Sequence, residues 1–74
     1  MASILMTGWR DGMEKVSLSK LQIEYLKVSL SQAKMNVDKL LDGEQIKIEI
    51  DDLEAAKKFI KQADEIGVDC LLEG

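Results

Sequence analysis

Residues 45–54, Gln45-Ile46-Lys47-Ile48-Glu49-Ile50-Asp51-Asp52-Leu53-Glu54, change their period in mid-course. Ile46, Ile48 and Ile50 alternate with Gln45, Lys47 and Glu49. This period of two puts one face of a strand into a core and the other into water. From Leu53 onward the apolar residues Ala56, Phe59, Ile60, Ala63 and Ile66 recur at threes and fours, the spacing of one helix face. Between the two patterns, Asp51-Asp52-Leu53-Glu54 reads as a capping box behind Ile50. A side-chain oxygen there satisfies amides that the first helical turn leaves unpaired, and the preceding apolar residue staples onto the helix. A strand is therefore expected to pass directly into a helix.

The same grammar extends in both directions. Gly67 follows the helical stripe, where a left-handed residue commonly ends a helix. Val68, Cys70 and Leu72 then alternate with Asp69, Leu71 and Glu73 as another strand. Upstream, Ser29-Leu30-Ser31-Gln32 is a second capping box, behind Val28, and opens a stripe of Leu30, Ala33, Val37, Leu40 and Leu41 that ends before Gly43. A further start signal, Ser17 after Val16, precedes Leu18, Leu21, Tyr25 and Leu26. Only Lys27 and Val28 separate these two helices, which predicts a tight helical hairpin. Ala2 to Thr7 carries no charge and reads as the remaining strand.

The order is strand, helix, helix, strand, helix, strand. Charged outward residues suit edge strands, which they protect from pairing with other chains. The uncharged first strand is then the central one, and a crossover through the third helix makes the other two parallel to each other and antiparallel to it. The predicted fold is α+β, a two-layer β-α-α-β-α-β domain covering residues 1–74. Its three-stranded sheet has order 2-1-3, with three helices on one face.

At 74 residues the chain is one small domain, of the size that buries only about 60% of its unfolded surface. An apolar fraction of 46% suffices for one core but not for a deep catalytic cavity. A single cysteine allows no internal disulfide. With no stretch that reads as a signal peptide, this points to a reducing compartment, and the cytoplasm is expected. No apolar run approaches the roughly 20 residues that span a membrane. Residues 1–37 carry five basic residues against three acids (net +2), whereas residues 38–74 carry five against eleven (net −6). An acidic chain repels a phosphate backbone, which makes nucleic acid an unfavoured partner.

Catalytic chemistry is poorly supplied. There is no histidine, the commonest general base and zinc ligand. Cys70, at an inward strand position, reads as a buried and inert thiol. Gly8-Trp9-Arg10-Asp11-Gly12 lacks the Gly-Lys-Ser/Thr ending of a phosphate loop and reads as a plain loop. Asp38, Asp42 and Glu44 lack calcium-loop spacing, and Asp51, Asp52 and Glu54 are acids where a helix dipole favours them. No enzymatic activity, cofactor or metal is expected. Within that loop, Trp9-Arg10 reads first as cover for the rim of a small core and otherwise as an interface anchor. Lys34 flanks the second stripe beside Leu30, and with Lys15 and Lys20 it would form a basic rim at the mouth of the hairpin.

Glu14-Lys15-Val16 through Lys20, then Leu30-Ser31-Gln32-Ala33-Lys34 and Val37, resemble the C-terminal domain of the bacterial large-subunit ribosomal stalk protein. In that family a Lys-Val pair opens the first helix and a Leu-x-x-Ala-Lys-x-x-Val run forms the second. The similarity resumes at Ala56-Lys57-Lys58 and ends at the Gly67-Val68 step, so it covers nearly the whole chain with a few extra residues around the second strand. The resemblance implies the same fold and a protein-binding role, because the first two helices of the stalk domain recruit translational GTPases. Carried over by motif position, the binding residues are Lys15, Val16, Lys20, Leu30 and Lys34. Ile23, Ser29 and Ser31 depart from the pattern: the family usually has arginine, glycine and lysine there. Those departures remove groups that contribute to electrostatic complementarity. The chain reads as a free-standing relative without the stalk's dimerisation region and hinge.

The function expected from sequence is thus a non-catalytic protein-interaction module for a translational GTPase or another acidic-surfaced protein. The alternatives are a protease-adaptor-like peptide-binding domain, a small RNA-binding domain using the basic half, or a self-associating domain using Ile23 and Met35. The adaptor of the Clp protease is similar in fold, but the acidic and histidine residues of its peptide pocket have no evident counterpart in this sequence.

Overall fold

The computed structural model describes residues 2–73. The elements follow one another as β1 (Ala2–Trp9), α1 (Lys15–Leu26), α2 (Leu30–Leu41), β2 (Ile46–Ile50), α3 (Leu53–Glu65) and β3 (Val68–Glu73). The sheet order is β2-β1-β3, and β1 pairs antiparallel with both neighbours. The uncharged strand is therefore central, and the charged ones form the edges, as the charge pattern predicts.

Alternation along β1 sets the layering. Ala2, Ile4 and Met6 are buried, and Ser3, Leu5 and Thr7 between them are half-buried on the other face. Ile4 lies opposite Ile48 and Leu72, and Met6 lies opposite Ile46 and Cys70. The inward row joins Ile46, Ile50 and Val68 to Leu18 and Leu26 of α1, Val37 and Leu40 of α2, and Ala56, Phe59 and Ala63 of α3. All three helices thus contribute to one core on one face of the sheet.

The pairing of β1 with β3 shifts by one residue between Met6 and Gly8, a bulge that places Trp9 opposite Val68. A bulge changes which way the following side chains point, so Trp9 shares the face of buried Val68 instead of alternating with Met6 in the ordinary way. The stretch expected as a loop from Gly8 accordingly begins two residues later, because Gly8 and Trp9 are strand.

The helix starts divide into two that are capped and one that is not. Ser29 Oγ accepts a hydrogen bond from the Gln32 amide (3.1 Å), and Asp52 Oδ1 accepts one from the Ala55 amide (3.1 Å). The cap of α3 is thus Asp52, one residue beyond the start of the box anticipated at Asp51, and the Gln32 side chain turns to Asn36 instead of closing its own box. Ser17 caps nothing. Helix α1 already begins at Lys15, and its N-cap Glu14 makes no side-chain bond. What places the start there is tertiary: the Glu14 amide donates to the Ile66 carbonyl (3.2 Å) and the Arg10 amide to the Gly67 carbonyl (2.8 Å), tying the β1–α1 loop to the α3–β3 turn. At the other ends, Gly43 and Gly67 hold positive φ as expected, and Lys27 does so without being glycine (φ 58°).

Candidate functional site

Helices α1 and α2, joined by the short connection at residues 27–29, pack against each other. Lys15, Val16 and Ser19 of α1, together with Lys34, Val37 and Asp38 of α2, line an open groove of about 230 Å³. Residues 15 and 19 are one turn apart on α1, as are 34 and 38 on α2, so each helix gives one wall. Three of the five residues carried over from the stalk domain, Lys15, Val16 and Lys34, meet in this groove. Lys20 and Leu30 lie outside its lining, both exposed. Lys20 sits one turn along α1 from Val16, and Leu30 one turn before Lys34 on α2, so each continues a row that borders the groove.

Large apolar side chains on these two helices stand in water. Val16 is 70% exposed and Leu30 54%, and Ile23, two turns from Val16 on the same helix, is 37% exposed. Leu30 was expected to begin the core stripe of α2, but the buried positions start at Ala33. The charge on the wall of α1 is unusual for a helix start. Its first residue is a lysine, its first turn holds no acid, and no side chain caps it. A cation at the positive end of a helix dipole is unfavourable for the isolated domain and favourable for an anionic group brought from outside. Asp38 is the one acid in the lining.

Next to the groove is a feature that apolar periodicity conceals. Gln22 is fully buried and Asn36 nearly so, and the Asn36 amide donates to Gln22 Oε1 (2.9 Å). Gln22 falls about one turn from both Leu18 and Leu26, all three buried. The α1 stripe anticipated at Leu18, Leu21, Tyr25 and Leu26 therefore leaves Leu21 and Tyr25 only half-buried.

Elsewhere the candidates resolve differently. Arg10 is a fastener: its Nη2 donates to the Asp64 carboxylate (3.0 Å) and backbone carbonyl, and its Nε lies 3.6 Å from Asp69 Oδ1. Trp9 keeps 42% of its surface exposed, so it covers the core's rim only in part. Cys70 is half-buried between the core and Thr7, Ile60, Lys61 and Asp64, less enclosed than its inward position implied. Burial, with the negative charges of Asp69 and Asp64, pushes its thiol up from 9.0 to about 12. A second groove, of about 540 Å³, lies where α1 ends, β2 ends and α3 begins, and gathers Glu24, Glu49, Asp51, Asp52 and Glu54 around Tyr25. Four of these acids fall within residues 49–54, where β2 passes into α3, and only Glu24 comes from a distant part of the chain; Lys27 and Lys58 line the same groove. Among the described residues no three of His, Cys, Asp and Glu gather where they could hold a metal ion, and no helix is long and apolar enough to cross a membrane.

No protein-family model matches the chain, and no curated protein matches it significantly.

Proposed function

We propose that this protein is a non-catalytic interaction module that binds an acidic-surfaced protein through the α1–α2 groove, in the manner of the factor-binding domain of the ribosomal stalk. A translational GTPase is the partner class that the resemblance suggests. The observation that carries this reading is the meeting of Lys15, Val16 and Lys34 in one groove, although they come from two helices and up to 19 positions of sequence. The start of α1 supports it, since its first residue is a lysine and the side chain of its N-cap, Glu14, makes no capping hydrogen bond, which leaves first-turn amides open to an external carboxylate. Exposed Val16, Ile23 and Leu30 supply apolar surface for the centre of such an interface, and the lysines supply its rim.

Purified translational GTPases, measured against the immobilised protein at increasing salt, test the reading directly. Binding should weaken with salt, because rim charges act mainly on association rate and are screened over about 8–10 Å at ordinary ionic strength. Lys15→Ala, Lys20→Ala and Lys34→Ala should each slow association with little change in melting temperature. Lys57→Glu and Lys61→Glu, on the exposed face of α3, should do little. The opposite pattern, or no salt-sensitive binding by any such GTPase, would end the stalk-like reading while leaving the fold untouched.

A further inference from the structure

We infer that Gln22 and Asn36 form a register lock that holds α1 and α2 in one relative position and thereby sets the shape of the adjoining groove. Gln22 is 0% exposed and Asn36 4%. Gln22 Nε2 donates across the hairpin to the Ala33 carbonyl (3.2 Å) and, within α1, toward the Leu18 carbonyl (3.4 Å). Gln22 Oε1 accepts from Asn36 Nδ2 (2.9 Å), and Asn36 Oδ1 accepts from Gln32 Nε2 (2.9 Å). Among the described residues no buried side-chain nitrogen or oxygen is left without a partner.

Stability alone does not explain two amides in this position. Gln22 stands between Leu18 and Leu26 in a buried row, and Asn36 stands beside buried Ala33, Val37 and Leu40. A leucine at either site would bury apolar surface with no desolvation penalty. What amides add is direction. Apolar side chains pack tolerably after a small slide or rotation of one helix past another, whereas a one-residue slide moves a helix by about 1.5 Å and breaks these bonds. Each wrong register would then bury an unpaired amide, which is strongly disfavoured. Buried polar pairs are known to specify register in this way in helical assemblies.

The lock adjoins the groove. Ala33 and Asn36, the two α2 residues that hold Gln22, bracket Lys34, and Ser19 lies just under one turn before Gln22. Rotation of α2 about its own axis would displace Lys34 relative to Lys15 and Val16. Gln22 and Asn36 are in this sense positioning residues. Their importance for binding rests on the groove being the binding face, but the lock itself does not, and its test uses no partner.

The test is NMR relaxation dispersion on two variants, with the unaltered protein as control. Gln22→Leu/Asn36→Leu removes both buried amides together, and Gln32, which loses its bond to Asn36, is exposed to water. This variant should keep or raise the melting temperature, while amides of α1 and α2 around Ser19, Lys34 and Asp38 acquire microsecond-to-millisecond exchange and those of β1–β3 do not. Gln22→Glu gives reversible control within one molecule. Protonated, the introduced carboxyl group can donate to the Ala33 carbonyl and accept from Asn36. Ionised, it has no proton to donate. Exchange confined to α1 and α2 should therefore switch on as pH is raised and off again as it is lowered. If both variants keep one sharp hairpin state with unchanged groove resonances, there is no lock. If both instead loosen the whole domain uniformly, the network is a stability element, and the inference is equally overturned.

Discussion

Gly67 carries two constraints at one residue. Its φ of +93° is disfavoured for any side chain, and a Cβ there would stand 3.2 Å from the Met13 Cα, a backbone atom of the β1–α1 loop. The loop cannot retreat freely, because the Arg10 and Glu14 amides bond to the carbonyls of Gly67 and Ile66. Gly67→Ala should cost at least about 1 kcal/mol, lowering the melting temperature by roughly 4–8 °C or more. An unchanged melting temperature would show that the turn adapts at no cost. Lys27 presents the converse case, a side chain in the left-handed region at the end of α1. Lys27→Gly should stabilise the domain by about 0.5–1 kcal/mol, as a thermal melt would show. Cys70 supplies a pH dependence. Its folded pKa lies above the unfolded one, so the unfolded chain loses the proton first as pH rises. The associated stability is complete below about 9 and is lost progressively toward about 12. Urea melts across that range should show a steeper decline for the unaltered protein than for Cys70→Ala, and the thiol should react slowly with iodoacetamide at neutral pH.

At the scale of elements, the helices obtain their starts in different ways, and their sensitivities should differ accordingly. Ser29→Ala and Asp52→Ala each remove a side-chain acceptor from an otherwise unpaired amide and should cost about 1 kcal/mol. Ser17→Ala should change stability much less, since Ser17 lies inside α1 and caps nothing. Denaturant titration of the three variants checks the order. The sheet offers a parallel comparison within one row. Ile4 on the central strand is completely buried, whereas Ile48 opposite it on the edge is half-buried. Ile4→Ala should cost roughly 2–5 kcal/mol, and Ile48→Ala should fall at the low end of that range or below it. A larger loss at Ile48 would mean that the edge strand carries more of the core than its exposure indicates.

For the whole molecule, the legible part of the sequence and the illegible part separate by the range over which each is decided. Element order, strand order and the left-handed glycines Gly43 and Gly67 could be read from periodicity, charge and turn chemistry, because those are local properties of contiguous residues. The predicted central position of β1 followed from its lack of charge, and the α+β architecture followed from the order of elements. Tertiary contacts decided the rest. The start of α1 at Lys15 is set by bonds to residues more than 50 positions away, so the plausible local signal at Ser17 gives the wrong boundary. The bulge in β1 turns Trp9 toward the face of Val68, which no alternation within residues 2–9 reveals. Gln22 and Asn36 look like solvent-facing amides in sequence and are core residues in space, since each satisfies the other only once the hairpin closes. The groove has the same character. Sequence singled out Lys15, Val16 and Lys34 as candidates, but only the packing of α1 against α2 decides that these three line one groove while Lys20 and Leu30 fall outside it.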